Sequence, residues 1–134
     1  MRINFIKTMI THEFSYSFYY FDDKIPFINI ILTPHSKKCT TFSDGISHFA
    51  YRKDKTIFDK AIENIKKVIN GEINEYEYGE EWCVFEFNKE ECEVTTLNNI
   101  ICIVSTKKVY EMLLEWRVYF REHFEDWMND LYCF

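Results

Sequence analysis

The apolar residues between positions 106 and 131 recur at steps of three and four, which is the repeat of one face of an α-helix. Neither Gly nor Pro interrupts the run, and Thr106 is placed to cap its first turn. The pattern therefore predicts a helix from Thr106 to Asp130. Its apolar stripe comprises Val109, Leu113, Trp116, Phe120, Phe124, Trp127 and Leu131. Because so much aromatic surface is unfavourable in water, we expect this helix to pack against the rest of the chain.

A second helical repeat extends from Thr56 to Asn70. Asp59 follows Thr56 at the spacing of a capping box, and Gly71 stands where a left-handed residue often ends a helix. The side chains predicted to be buried are Phe58, Ala61, Ile62, Ile65, Val68 and Ile69. Two amphipathic helices are thus expected.

The N-terminal part of the chain alternates in a different way. Residues 14–21 favour a strand, since Phe14, Tyr16 and Phe18 alternate with Ser15 and Ser17, and a second β-favouring run covers residues 27–33. Acidic residues between the two runs signal a turn, so the pair predicts an antiparallel hairpin. Residues 34–53 are predicted to form a loop with a short helical turn near residues 46–51, and residues 1–12 fit neither repeat.

The chain returns to a two-residue repeat after the second helix. Residues 82–87 and 91–96 alternate in polarity, and residues 100–104 are apolar almost throughout. We expect a three-stranded meander whose last strand, being so apolar, occupies a central position in the sheet. The meander leads directly into the long C-terminal helix.

Together these elements predict an α+β fold. An antiparallel sheet, built from the N-terminal hairpin and the C-terminal three-stranded meander, would be covered on one face by the two main helices. With 134 residues and 47% hydrophobic content, the chain can form a core of its own. We expect residues 1–134 to be a single domain.

Charge is distributed unevenly along the sequence. Residues 1–67 carry a formal charge of +4, residues 68–134 carry −10, and the total is −6. Between Glu72 and Glu93, nine glutamates accompany a single basic residue, Lys89. A field of this sign repels phosphates and attracts basic proteins, so we expect no direct binding of nucleic acid.

Motifs for catalysis and for metal binding are weak. The five Cys are odd in number and lack CxxC spacing, the four His are far apart, and three Gly are too few for a phosphate loop. We therefore expect reduced thiols, no metal, no cofactor and no enzymatic activity. The sequence contains no signal-peptide pattern and no apolar run of membrane-spanning length, which favours a cytoplasmic protein without a membrane partner.

The acidic segment is unusual because aromatic residues are set among its carboxylates. It is either a solvated connection that keeps the protein soluble or a docking surface. On a docking surface, tyrosines supply rigid contact area and glutamates steer a basic partner. The residues predicted to bind that partner are Glu72, Glu75, Tyr76, Glu77, Tyr78, Glu80 and Glu81.

Three features together resemble a known class of protein. They are the segment Tyr76-Glu77-Tyr78-Gly79-Glu80-Glu81-Trp82, the alternating meander, and Ser105-Thr106 opening a helix that contains Leu113-Leu114-Glu115-Trp116 and Phe120. Over residues 72–124 this layout is similar to small bacterial immunity proteins, in particular those of contact-dependent growth inhibition systems.

The resemblance implies a non-catalytic cytoplasmic protein that is made beside a toxin. It would bind the C-terminal domain of its cognate toxin, often a nuclease, and would cover the active site or the substrate-binding face. No contact residue of that family is transferred to this chain, because each toxin and immunity pair has its own interface.

Two other classes of function stay open. One is a small enzyme that uses Cys39 with His35 or His48, since a thiol and an imidazole can form a nucleophile and its base. The other is an adaptor or oligomerisation domain that pairs through exposed aromatic residues. The aromatic residues considered for that role are Tyr19, Tyr20, Tyr76 and Tyr78.

Overall fold

The computed structural model of the chain describes residues 12–21, 25–33, 37–38, 40–48, 56–80, 82–96 and 99–123. In chain order the strands and helices are β1 (Glu13–Phe21), β2 (Ile25–Thr33), β3 (Lys37–Lys38), α1 (Thr40–Ser47), α2 (Thr56–Ile69), β4 (Tyr76–Glu80), β5 (Cys83–Phe87), β6 (Glu91–Thr96), β7 (Asn99–Ser105) and α3 (Thr106–His123). The fold is α+β, as the sequence predicts, but the described strands form two sheets, β1-β2-β3 and β4-β5-β6-β7, rather than the single sheet predicted.

The N-terminal hairpin is confirmed. β1 and β2 pair antiparallel without a register shift, from Glu13 opposite Thr33 to Phe21 opposite Ile25. Alternate side chains face the core, so Phe14, for example, is buried while Ser15 beside it is exposed. β3 adds a short third strand to β2.

Within the described residues, the C-terminal sheet has four strands, one more than the sequence predicts. Its order is β4-β5-β6-β7, and each neighbouring pair is antiparallel. The additional strand, β4, lies inside the acidic segment, where Tyr76, Glu77 and Tyr78 alternate between the two faces. The charge of that segment obscured its two-residue repeat.

The predicted central position of the last strand is not found among the described strands. There β7 stands at the end of the four-stranded ladder rather than in its middle. Its apolar character has another cause, because Cys102 and Val104 face the core on one side and Ile103 is buried on the other. The backbone N–H of His12, just before β1, donates to the carbonyl of Ile103 at 2.6 Å, so the N-terminal hairpin lies beside this strand.

The region predicted as a loop contains a helix. α1 spans Thr40–Ser47 and packs against both β2 and β5. The Ser43 hydroxyl accepts from the N–H of Ile30 at 3.0 Å, and the Ser47 hydroxyl accepts from the N–H of Ile28 at 3.3 Å. The predicted helical turn near residues 46–51 overlaps only the end of this helix, and residues 49–51 lie outside the described residues.

The two long helices are confirmed within the described residues. α2 ends at Ile69 and is followed by Gly71 in the left-handed conformation, with φ of +79°. α3 begins at Thr106 and is described to His123, so the predicted residues 124–130 lie outside the described part. Asp59 of α2 accepts from Arg117 at 2.8 Å and from Arg121 at 3.1 Å, which joins the two helices.

The core is centred on α3, which contacts β1, β2, β6, β7 and α2. Trp116 is fully buried, with its ring centroid 5.7 Å from that of Phe18 and 5.6 Å from that of Phe120. Aromatic side chains of β1 and α3 thereby interdigitate, as the predicted stripe requires.

Polar contacts reinforce the packing of β1 on α3. The Tyr16 hydroxyl donates to Glu115 at 2.6 Å, and burial together with that carboxylate raises the pKa of Tyr16. The Lys108 ammonium donates to the carbonyl of Phe14 and lies 4.7 Å from the centroid of its ring. In the described part of the chain, no helix is long and apolar enough to cross a membrane.

We expect Gly45→Ala to lower the free energy of unfolding by about 1–3 kcal/mol, because it overpacks the contact between α1 and β5. An added Cβ would lie 2.8 Å from Cys83 Sγ and 2.8 Å from Phe85 Cζ, and both side chains are buried. Helix propensity alone would favour Ala by about 1 kcal/mol, so the sign of the change separates the two effects. Equilibrium unfolding in urea measures it.

The control is Gly71→Ala. No heavy atom lies within 4 Å of an added Cβ there, so its loss of about 1–2 kcal/mol would reflect the left-handed backbone alone. A gain of stability in Gly45→Ala would show that α1 does not approach β5 this closely.

Candidate functional site

Strand register sorts the residues of the acidic segment onto opposite faces of the four-stranded sheet. Tyr76 is opposite Phe87, and Tyr78 is opposite Phe85, so both tyrosines share the face that packs on the helices. Glu77 alternates with them and points to the other face, which we call the outer face.

Three glutamates form a row across the outer face. Glu77 of β4 is opposite Glu86 of β5, which is opposite Glu93 of β6. Directly opposed residues have Cβ atoms about 4.5–5.5 Å apart, so Glu77 and Glu93 each leave the sheet beside Glu86. We call Glu77, Glu86 and Glu93 the acidic ladder.

The acidic ladder is accessible to a partner. Glu77 and Glu86 are exposed and Glu93 is half-buried. A depression of about 490 Å³ adjoins the ladder. Its lining consists of Glu75, Tyr76, Glu77, Glu86, Phe87, Asn88, Glu91 and Glu93. Five of these eight residues are glutamates, so the depression suits a cationic group rather than an anionic one.

A tight turn at residues 88–91 lies at one end of this depression. Asn88 Oδ1 accepts from the backbone N–H groups of Glu90 at 3.0 Å and of Glu91 at 2.8 Å. Thr106 ties the turn to α3, because its hydroxyl donates to the Asn88 carbonyl at 2.8 Å and its N–H donates to the Glu90 carbonyl at 3.1 Å. The helix cap predicted for Thr106 is instead provided by Ser105, whose hydroxyl accepts from the N–H of Lys108 at 3.2 Å.

The structure places only some of the predicted site residues at the depression. Glu75 and Glu77 line the depression on the outer face. Glu72 is exposed just after α2 but does not line it. Of Glu80 only the backbone is described, in β4, and Glu81 lies outside the described residues.

The structure does not bring the two tyrosines to the outer face. Tyr76 and Tyr78 are half-buried against the core, and the Tyr76 ring stacks on Phe87 with a centroid distance of 6.2 Å. Burial raises the pKa of Tyr76, while a hydrogen bond with the Asn64 side chain acts in the opposite direction. The same placement removes these two residues from the aromatic surface that an oligomerisation domain would need.

Sequence reasoning missed the glutamates contributed by the neighbouring strands. Glu86 and Glu93 join the site through strand pairing, and Glu91, at the start of β6, lines the same depression. The alternation of apolar and polar residues within β5 and within β6 could have identified them, because it already placed these glutamates on the face away from the core.

Of the three residues in the enzyme alternative, only His48 is among the described residues. His35 and Cys39 lie outside the described residues. His48 is exposed at the end of α1, with Nδ1 2.7 Å from the Asp44 carbonyl and its ring 5.3 Å from that of Trp82. Within the described ranges, no group of three or more His, Cys, Asp or Glu side chains is arranged to hold a metal ion.

Three thiols lie on the core side of the sheet, at Cys83, Cys92 and Cys102. Burial, with the neighbouring thiols adding to it, raises the pKa of Cys92 well above its ordinary value. All three side chains are buried and belong to the hydrophobic core, which is a common place for a free cysteine.

Comparison of the chain with protein-family models, with curated proteins and with solved structures gave no match.

We expect Glu77→Lys to raise the free energy of unfolding by about 0.2–1 kcal/mol, because it replaces a like-charged cross-strand pair by an oppositely charged one. Glu77 is exposed and directly opposite Glu86, so little packing changes with the substitution. Urea unfolding at low and at high salt is the measurement, and the gain should shrink as salt screens the charges.

Glu122→Lys is the matched control, since Glu122 is exposed on α3 and has no strand neighbour. It makes the same change in net charge and should give no comparable gain. Equal effects of the two substitutions would mean that net charge, rather than the ladder, governs stability.

Proposed function

We propose that this chain is a non-catalytic inhibitor that binds a basic protein through its outer face. The partner would be the C-terminal nuclease domain of a toxin of contact-dependent growth inhibition, and the chain would be its cytoplasmic immunity protein. The observation that carries the proposal is the acidic ladder, where Glu77, Glu86 and Glu93 stand directly opposite one another beside a glutamate-lined depression.

The arrangement of the charges supports binding rather than solubility alone. Surface charges that serve solubility are usually interspersed with charges of the opposite sign. Here like charges occupy opposed positions on adjacent strands, and five of the eight residues that line the adjoining depression are glutamates. A cationic partner would meet several carboxylates at once.

Charge also supports the class of partner. A nuclease needs Lys and Arg side chains to hold the phosphates of its substrate. A compact row of carboxylates can occupy the same cationic groups. Occupation of this kind would exclude the nucleic acid and neutralise the toxin without any chemical step by the inhibitor.

Steering by the ladder should appear mainly in the association rate. Complementary fields accelerate encounter, and added salt weakens that acceleration. An immunity protein must reach its toxin before the toxin finds its substrate, so fast association suits the proposed function.

The test uses the toxin domain that the proposal expects the neighbouring gene to encode. We expect the double variant Glu77→Lys with Glu86→Lys to associate about tenfold or more slowly with that domain at low salt, since steering spans about 10–10³-fold. Stopped-flow fluorescence measures the rate, and protection of growth against the expressed toxin provides a second measurement. The loss should diminish at high salt.

The control is again Glu122→Lys, which changes the charge on α3 and not on the outer face. If the double variant associated and protected as well as the unmodified chain, the outer face would not be the interface. If the neighbouring gene encoded no toxin, the proposed partner would be wrong.

A further inference from the structure

A second row of side chains crosses the outer face beside the acidic ladder. Gly79 of β4 is opposite Val84 of β5, Val84 is opposite Thr95 of β6, and Thr95 is opposite Ile100 of β7. None of these four residues is charged. We call them the apolar row.

The apolar row is open to a partner. Ile100 is 42% exposed, Val84 is half-buried and Thr95 is half-buried. Gly79 has φ of +150°, and an added Cβ would lie 2.2 Å from the Cys83 carbonyl oxygen. Glycine is therefore required at this position, so residue 79 has no side chain that could cover Val84.

The two rows are close enough to contact one segment of a partner. Within β4 and β5 they are two residues apart, which corresponds to about 6.5–7 Å along a strand. A surface that touches Glu77 and Glu86 thus extends naturally over Gly79 and Val84.

We infer that the segment bound by the outer face is amphipathic, with cationic side chains against the acidic ladder and aliphatic side chains against the apolar row. This inference rests on the proposed function and specifies the chemistry of its partner. The cationic side chains of the partner are inferred from the negative charge of the acidic ladder. Its aliphatic side chains are inferred from the apolar row, which lies beside the ladder.

The two rows have separate roles. Exposed ion pairs are screened by water and salt, so the ladder mainly speeds assembly. Aliphatic contact removes apolar surface from water and is less sensitive to salt, so the apolar row mainly prolongs the complex.

The experiment compares two synthetic peptides of equal charge. One carries lysines followed by leucines, and the other has serines in place of the leucines. We expect the leucine peptide to bind about tenfold more tightly, the factor that burial of a modest aliphatic area provides. Isothermal titration measures both dissociation constants, and amide chemical shifts locate the contact at Val84 and Ile100.

The double variant Val84→Ser with Ile100→Ser should remove the advantage of the leucine peptide. Val84→Thr, which keeps the shape of the side chain, should reduce it without risk to the fold. The inference is overturned if the leucine peptide has no advantage on the unmodified chain, or if its advantage persists in the double variant.

Failure of the proposed function would give a different result. In that case Glu77→Gln with Glu86→Gln would leave the dissociation constants of both peptides unchanged. A different outcome is that those substitutions weaken the binding of both peptides, while the leucine and serine peptides bind the unmodified chain equally well. That result would disprove only the amphipathic partner.

Discussion

The strict alternation of side chains in an antiparallel sheet determines what this protein presents to its surroundings. Successive residues of a strand point to opposite faces, and paired residues on neighbouring strands share a face. In β4 this rule directs Tyr76 and Tyr78 to the core and Glu77 to the outer face. A shift of one residue in the register would exchange them, burying a carboxylate and exposing two aromatic rings. The same alternation thus specifies the core and the candidate binding face.

The core stabilises the sheet whose outer face carries the acidic ladder. Behind the acidic ladder, Phe85, Phe87 and Val94 are buried against the helices, and Trp116 of α3 is fully enclosed. Burial of large side chains contributes about 1.5–3 kcal/mol each, whereas a like-charged cross-strand pair costs about 0.2–1 kcal/mol. The sheet can therefore carry opposed carboxylates on one face because its other face is well packed.

Long and regular repeats in the sequence predicted most of the fold. α2, the hairpin of β1 and β2, and the described part of α3 follow directly from their periodicity. α1 was missed because Thr40–Ser47 is short and contains Gly45 and several Ser and Thr residues, which have low helix propensity. Its contacts with β2 and β5 stabilise it, and such tertiary contacts leave no local pattern in the sequence.

The sequence predicted the negative charge of the candidate site and some of its residues. Composition located the acidic segment and the residues Glu75 and Glu77. The remaining ladder residues, Glu86 and Glu93, become neighbours only through pairing between strands, and pairing is not visible in the repeat of a single strand. The inward direction of Tyr76 and Tyr78 likewise depended on recognising β4 as a strand.

The serines of α1 have a consequence for self-association. Along a helix, residues four apart are separated by about 6 Å, close to the 6.5–7 Å between alternate residues of a strand. The hydroxyls of Ser43 and Ser47 therefore accept hydrogen bonds from the backbone N–H groups of Ile30 and Ile28, at the spacing of the carbonyls of a neighbouring strand. A strand of another chain would need the same two N–H groups to pair with this part of β2. By occupying them, α1 protects β2 against β-sheet aggregation.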